Sequence, residues 1–208
     1  QLVYVMKNAK ENGSGLPIVF LGAGASVSGG IPLANGIVKD IQVKFENNPA
    51  VNSYLMKNNE PTYSELMGCL TARERNTLLK EYIDNAKINI THIHLAQLMI
   101  EGYIDYVLTV NFDNLMLRAL ALYEVFPPTY DMAILKDLTT TTFHDKSVVY
   151  LHGQHHGLWL LNTADEMSRV NDTIPKILSN FKNRPWIFIG YSGEDPIFNH
   201  IVDLGRFD

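Results

Sequence analysis

Four short apolar runs stand out from a chain whose other hydrophobic positions recur every three to four residues. They are Ile18 to Leu21 (IVFL), Ile104 to Thr109 (IDYVLT), Val148 to Leu151 (VVYL) and Trp186 to Ile189 (WIFI). All are rich in β-branched or aromatic side chains and read as strands. Their near-continuous apolar character predicts interior strands of a parallel sheet, buried on both faces. Between them the helical period predicts helices at roughly Leu33 to Phe45, Thr62 to Gly68, Ala72 to Asn85, Thr91 to Glu101, Asn114 to Tyr123, Ile174 to Phe181 and Pro196 to Leu204. Tyr130 to Leu135 (YDMAIL) and Leu158 to Leu161 (LWLL) read as further short strands. Asn47 to Pro49 and Phe126 to Thr129 read as loops. The alternation predicts an α/β fold, with a mainly parallel sheet wound by helices.

The segments directly after the strands carry more chemistry than the strands. The first strand runs into Gly22-Ala-Gly-Ala-Ser26, the second into Thr109-Val-Asn-Phe-Asp-Asn114, the third into His152-Gly153 and the fourth into Gly190-Tyr-Ser-Gly-Glu-Asp-Pro196. In an open parallel sheet those strand ends share one edge, the edge at which such folds bind ligands. Four polar, small-residue loops are therefore expected to meet at one crevice.

Composition narrows the ligand. The 208 residues, 46% of them hydrophobic, support one buried core and hence one domain over 1–208. The formal net charge is -5 with no basic run, which argues against nucleic acid as a direct ligand. No apolar stretch approaches the length of a membrane span and the N-terminus has no signal-peptide pattern, so the chain reads as cytoplasmic. It opens on Gln1 and stops at Asp208 without a tail, as a piece of a longer protein would. The single cysteine, Cys69, forbids an internal disulfide and any four-cysteine zinc site. His152, His155 and His156 lack a neighbouring cysteine or paired acid at ligand spacing, so no metal is expected. His92 and His94 fall on opposite sides of any helix containing both, and read as packing or surface residues.

The glycine loop does not fit a dehydrogenase. Gly22 and Gly24 suit a tight turn and close backbone approach to a pyrophosphate, but the third position of that fingerprint holds Val27. The following segment is helical where a second strand should end in a ribose-binding acid. The backbone amides from Ala23 to Ser26, with a helix start behind them, remain able to cradle phosphate.

Taken in order, the loops resemble the sirtuin (Sir2) superfamily over Val19 to Asp195. The GAG-x-S loop stands as Gly22 to Ser26 and the Gly-Ile-Pro that ends it as Gly30 to Pro32. The Thr-x-Asn-x-Asp stands as Thr109, Asn111 and Asp113, the His-Gly as His152 and Gly153, and the Gly-x-Ser as Gly190 and Ser192. The resemblance implies a Rossmann-like fold that binds NAD and cleaves its nicotinamide glycosidic bond without hydride transfer. Two departures from the protein-deacylating members matter. Leu33-Ala-Asn35 replaces their Asp-Phe-Arg, and residues 154–184 contain no cysteine, so the zinc module that helps to clamp an acyl-lysine peptide is lacking. The nearer likeness is to zinc-free, sirtuin-like NADase domains of bacterial antiphage defence proteins, which work with a sensor domain or partner and act as oligomers.

Cleavage passes through an oxocarbenium-like state, so the site must hold the ribose and bring an oxygen nucleophile to it. The resemblance and this chemistry together give Asn111 a place at the ribose and the attacking water, and His152 that of general base, imidazole titrating near neutrality. Asp113 orients Asn111, the nicotinamide side or the histidine, or else caps the following helix. Gly22, Ala23, Gly24, Ala25 and Ser26 take the pyrophosphate, with Pro32 and Thr109 lining the cofactor. Gly190, Ser192 and Asp195 meet the adenosine side, Asp195 having a helix cap as its other reading. NAD is thus expected as substrate. Three rivals carry less: a pocket that only senses NAD or ADP-ribose, a sirtuin-type deacylase, and a serine hydrolase built on Ser192, whose second elbow glycine comes one residue early.

Overall fold

The structure is a computed structural model describing residues 1–13, 15–135, 143–154, 163, 165–166, 173–195 and 197–203. Its centre is a parallel sheet of five strands: β1 (Ile18–Leu21), β2 (Tyr106–Thr109), β3 (Thr129–Asp131), β4 (Ser147–Tyr150) and β5 (Trp186–Ile189). They lie in the order β3-β4-β2-β1-β5. In register, Leu21 stands beside both Thr109 and Ile189, and Thr109 beside Tyr150, so the strand ends are level along one edge.

The sheet is doubly wound because each strand offers apolar side chains to both sides. On one face, Val19, Leu21 and Val107 pack with Leu95 and Met99 of α6 (Ile90–Ile100) and Met116 and Leu120 of α7 (Leu115–Ala121). On the other, Ile18, Phe20 and Leu108 meet Ile177 and Leu178 of α8 (Ile174–Ser179) and Ile197 and Ile201 of α9 (Ile197–Asp203). Phe20 is fully buried, stacked near Trp186 and tilted against Phe188 and Tyr191; an aromatic buried to this extent contributes about 2–3 kcal/mol. A third cluster joins α2 (Ala34–Lys44), α3 (Pro49–Leu55), α4 (Tyr63–Cys69) and α5 (Ala72–Asn85) through Ile41, Val51, Leu66 and Leu79. This helical insertion sits between β1 and β2 in the chain.

The sheet corrects the expectation of four interior strands. β1, β2 and β4 are buried throughout, whereas β5 is half-buried along its length because it stands at the end of the order. The YDMAIL segment supplies only Tyr130 and Asp131 of β3, on the opposite border, and Thr129, the first residue of that strand, comes from the stretch that reads as a loop. Leu158 to Leu161 lie outside the described residues.

Among the described residues, two helices escape the periodicity. One is α1 (Leu2–Asn12), which buries only Met6 and Ala9. The other is α3, whose start has the pattern of a loop. Asn48 is its N-cap, accepting the Ala50 and Val51 amides at 2.9 and 3.3 Å, and Pro49 occupies the first turn where its missing N–H does no harm. Replacing Asn48 by alanine is expected to lower stability by about 1 kcal/mol in urea titrations. An unchanged midpoint would show that the cap contributes nothing.

Candidate functional site

A buried polar network begins at Thr109, where β2 ends. Its hydroxyl donates to the Leu21 carbonyl at 3.3 Å and accepts the Asn111 amide at 3.0 Å, turning the chain so that Asn111 faces back toward β1. The Asn111 Nδ2 donates to the Gly22 carbonyl at 3.0 Å and to Ser26 Oγ at 3.3 Å. A carbonyl only accepts, so this contact fixes which way the amide points. Both amide hydrogens are engaged, and Oδ1 is the group left for a ligand. Ser26 Oγ passes its own hydrogen to Asp113 Oδ2 at 2.7 Å. Asp113 Oδ1 accepts the Leu115 amide at 3.0 Å. One carboxylate thus takes the first amide of α7 and anchors Ser26, which in turn accepts from Asn111. Ser26 and Asp113 are only 1% and 5% exposed.

The glycine loop is built otherwise than its motif suggests. Ala23–Ala25 and Val27–Gly29 form two 3₁₀ turns, and α2 starts only at Ala34, so no α-helix N-terminus stands directly behind the loop. The amides of Gly24, Ala25 and Ser26 donate to the carbonyls of Gly190, Gly22 and Ala23, at 2.8, 3.0 and 3.0 Å. The expected phosphate cradle is thereby reduced to the exposed Ala23, whose amide has no acceptor among the described residues. The glycines serve backbone packing. A Cβ on Gly22 would meet the Gly190 carbonyl at 2.5 Å, and one on Gly24 the Gly190 Cα at 2.9 Å. Pro32 stands away from this contact, half-buried before α2 and against Gly36.

His152 leaves β4, and its Nε2 lies 3.4 Å from Asp195 Oδ2 in the loop after β5, in a geometry that makes no hydrogen bond. Between those strands stand β2 and β1. At about 4.8 Å per step, three steps separate β4 from β5 by roughly 14 Å. The two side chains meet across that gap, over the ends of the strands that carry Asn111 and the glycine turn. Asp195 Oδ1 accepts the Ile197 amide at 2.9 Å, so the capping reading is also present. Ser192 is exposed, its Oγ accepting the Glu194 amide at 3.4 Å. Among the described residues no hydrogen bond joins His152 to the Asn111 network. His155, His156 and Pro196 lie outside the described residues. No group of three or more His, Cys, Asp or Glu among the described residues is placed to hold a metal ion, and no described helix is long and apolar enough to cross a membrane.

Four polar residues around this edge have no place in the sequence motifs. Asn89 caps α6 and donates from Nδ2 to the Ala25 carbonyl at 2.7 Å, tying that helix to the glycine loop. Its Oδ1 consequently faces His92 Nδ1 at 2.9 Å, which makes Nδ1 the protonated nitrogen. Burial lowers the His92 pKa, opposed by the Asp113 carboxylate, so the buried ring stays neutral. The pattern Asn89-x-x-His92 at a helix start is the signal the sequence holds for this pair. Asp131, ending β3, accepts the Ala133 amide at 3.0 Å and the Gln154 amide at 3.1 Å, and so clasps the turn just past His152. Burial raises its carboxyl, with both amides working against the shift. Tyr150 is fully buried with a hydroxyl lacking any hydrogen-bond partner among the described residues. Burial first, then the Asp113 and Asp131 charges, push its pKa far up. No periodicity reports the contacts of Asn89 with Ala25 or of Asp131 with Gln154, because they join residues far apart in the chain.

Residues 105–204 match a family model described as the SIR2-like domain. The matched segment carries Asn111, Asp113, His152 and Asp195, and the glycine turn lies before it. No curated protein matches the chain.

Proposed function

We propose, from the premise that this chain carries a SIR2-like domain, that it is an NAD hydrolase releasing nicotinamide and ADP-ribose. The observation that supports this most is the Asn111 amide, whose nitrogen is committed inward while Oδ1 stands ready to accept. An acceptor held rigidly at a strand end suits a water or a ribose hydroxyl, and rigid placement of the reacting oxygen is a large part of such catalysis.

NAD supplies the scissile bond between its ribose and the nicotinamide nitrogen. Asn111 Oδ1 accepts a hydrogen from the attacking water and so aims its oxygen at the ribose carbon. His152 takes the proton that this water loses as the new C–O bond forms. The electron pair of the broken C–N bond leaves with nicotinamide, which departs neutral, so one water yields ADP-ribose and one proton. Asp113 and Ser26 hold Asn111 at its angle, Ala23 offers the one available amide of the glycine loop to phosphate, and Ser192 presents its hydroxyl on the adenosine side. Gly22, Gly24, Ala25, Gly190, Pro32 and Thr109 shape these loops through their backbone and packing. Linear or cyclised ADP-ribose results according to whether water or an internal nucleophile reaches the carbon. Action in the cytoplasm as an NAD-depleting effector of antiphage defence, within an oligomer and under a sensor domain or partner protein, extends the same reading.

The test is nicotinamide release from NAD, with the partner supplied. Asn111→Ala is expected to lower kcat by about 100-fold. It is also expected to leave the fold intact, since the Gly22 carbonyl still accepts the Ala25 amide at 3.0 Å. Full activity in that variant would remove Asn111 from the chemistry. The second reading, a pocket that binds NAD or ADP-ribose without cleaving it, is supported by the absence of a hydrogen bond between His152 and Asn111. It requires binding with no release in the wild-type protein.

A further inference from the structure

We propose that Asp195 is the positioning residue of His152, holding the proton on Nε2 so that Nδ1 is the nitrogen that meets the attacking water. This rests on the hydrolase reading and changes the role that the motif suggests for Asp195, which is a contact to the cofactor.

Asp195 Oδ2 lies 3.4 Å from His152 Nε2, and the two side chains are 21% and 15% exposed. A carboxylate so placed acts on an imidazole through little water. Its aim is set independently, because Oδ1 is held by the Ile197 amide at 2.9 Å and the Asp195 carbonyl accepts the Phe198 amide at 2.9 Å. A cap needs only the first oxygen, which leaves the second as a directed group.

Imidazole has two nitrogens, of which the neutral ring protonates one. A carboxylate accepts and does not donate, so it favours the hydrogen on the nitrogen it faces. Nε2 is buried and has no hydrogen-bond partner among the described residues, so at 3.4 Å a small closure completes the contact. Nδ1 then keeps the lone pair. The same carboxylate stabilises the imidazolium formed when Nδ1 takes the water's proton, the logic of a base oriented by a third group. Tyr191 marks how enclosed the corner is: its hydroxyl has no hydrogen-bond partner among the described residues, and burial, then the Asp195 charge, raise its pKa.

Asp195→Asn is the discriminating variant, since it keeps an oxygen for the Ile197 amide and should leave the melting temperature within a few degrees. Its NH₂ donates toward Nε2 and drives the proton to Nδ1. In the whole protein labelled with ¹⁵N-histidine, wild-type His152 is expected to be protonated on Nε2 when neutral, and the variant on Nδ1. With NAD as substrate, kcat is expected to fall by about 100-fold while KM stays within about threefold. A raised KM with kcat intact would return Asp195 to the cofactor and overturn the proposal, as would a tautomer unmoved by the substitution. The tautomer decides this contact without turnover. The expected tautomers in wild type and variant, with no nicotinamide released by the wild type, would defeat the hydrolase reading alone.

Discussion

Replacing His152 by alanine is expected to lower nicotinamide release by about 10²–10⁴-fold while NAD still binds. The effect is expected to be large because the proposed mechanism makes His152 the base, and its side chain reaches over the sheet edge to within 3.4 Å of Asp195. Removing it deprives the attacking water of a proton acceptor and leaves Asp195 facing a void. Binding is expected to persist because the Asn111, Ser26 and Asp113 network shares no hydrogen bond with His152. Rates of release set beside NAD affinity by calorimetry check both halves. Loss of binding together with release would make His152 a ligand contact, and unaltered release would take it out of the reaction.

Gly190→Ala is expected to destabilise the protein by roughly 2–5 kcal/mol, from the left-handed backbone penalty and from overpacking together. Gly190 has φ of +63°, and a Cβ there would meet the Ala25 nitrogen at 2.2 Å and the Gly24 carbonyl carbon at 2.5 Å. Both are backbone atoms, so no side chain can swing aside. Gly24 donates its amide to the Gly190 carbonyl at 2.8 Å, and any shift that relieves the clash also breaks that bond. Because the same loops carry Ser26 and Ser192, a folded remnant should bind NAD poorly. Chemical denaturation of the variant reads the loss directly. A midpoint equal to wild type would mean that the two loops do not touch as described.

His152 is conspicuous in the sequence, whereas the contact that constrains Gly190 is not. Trp186 to Ile189 and Ala72 to Asn85 are found where apolar pattern and helix period place them, because strand burial and helix faces repeat along the chain. The candidate site is legible as four loops, since Gly22 to Ser26, Thr109 to Asp113, His152 and Ser192 each come after a strand of one parallel sheet. The helix starting at Pro49 is not, although Asn48 and Pro49 spell a capped start, because seven residues show too little periodicity to outweigh a turn-like dipeptide.

Local sequence thus settles the α/β alternation and the sheet edge at which the polar loops emerge, and it singles out Asn111 and His152 as candidates. Folding in three dimensions settles their partners. That Gly22 and Gly24 face Gly190, that Asn89 grips the Ala25 carbonyl and that Asp195 turns one oxygen to His152 depends on strand order. The physical reason is range: propensity and periodicity act over a few neighbouring residues, whereas a hydrogen bond or a backbone contact between residues 24 and 190 exists only after β5 has paired with β1.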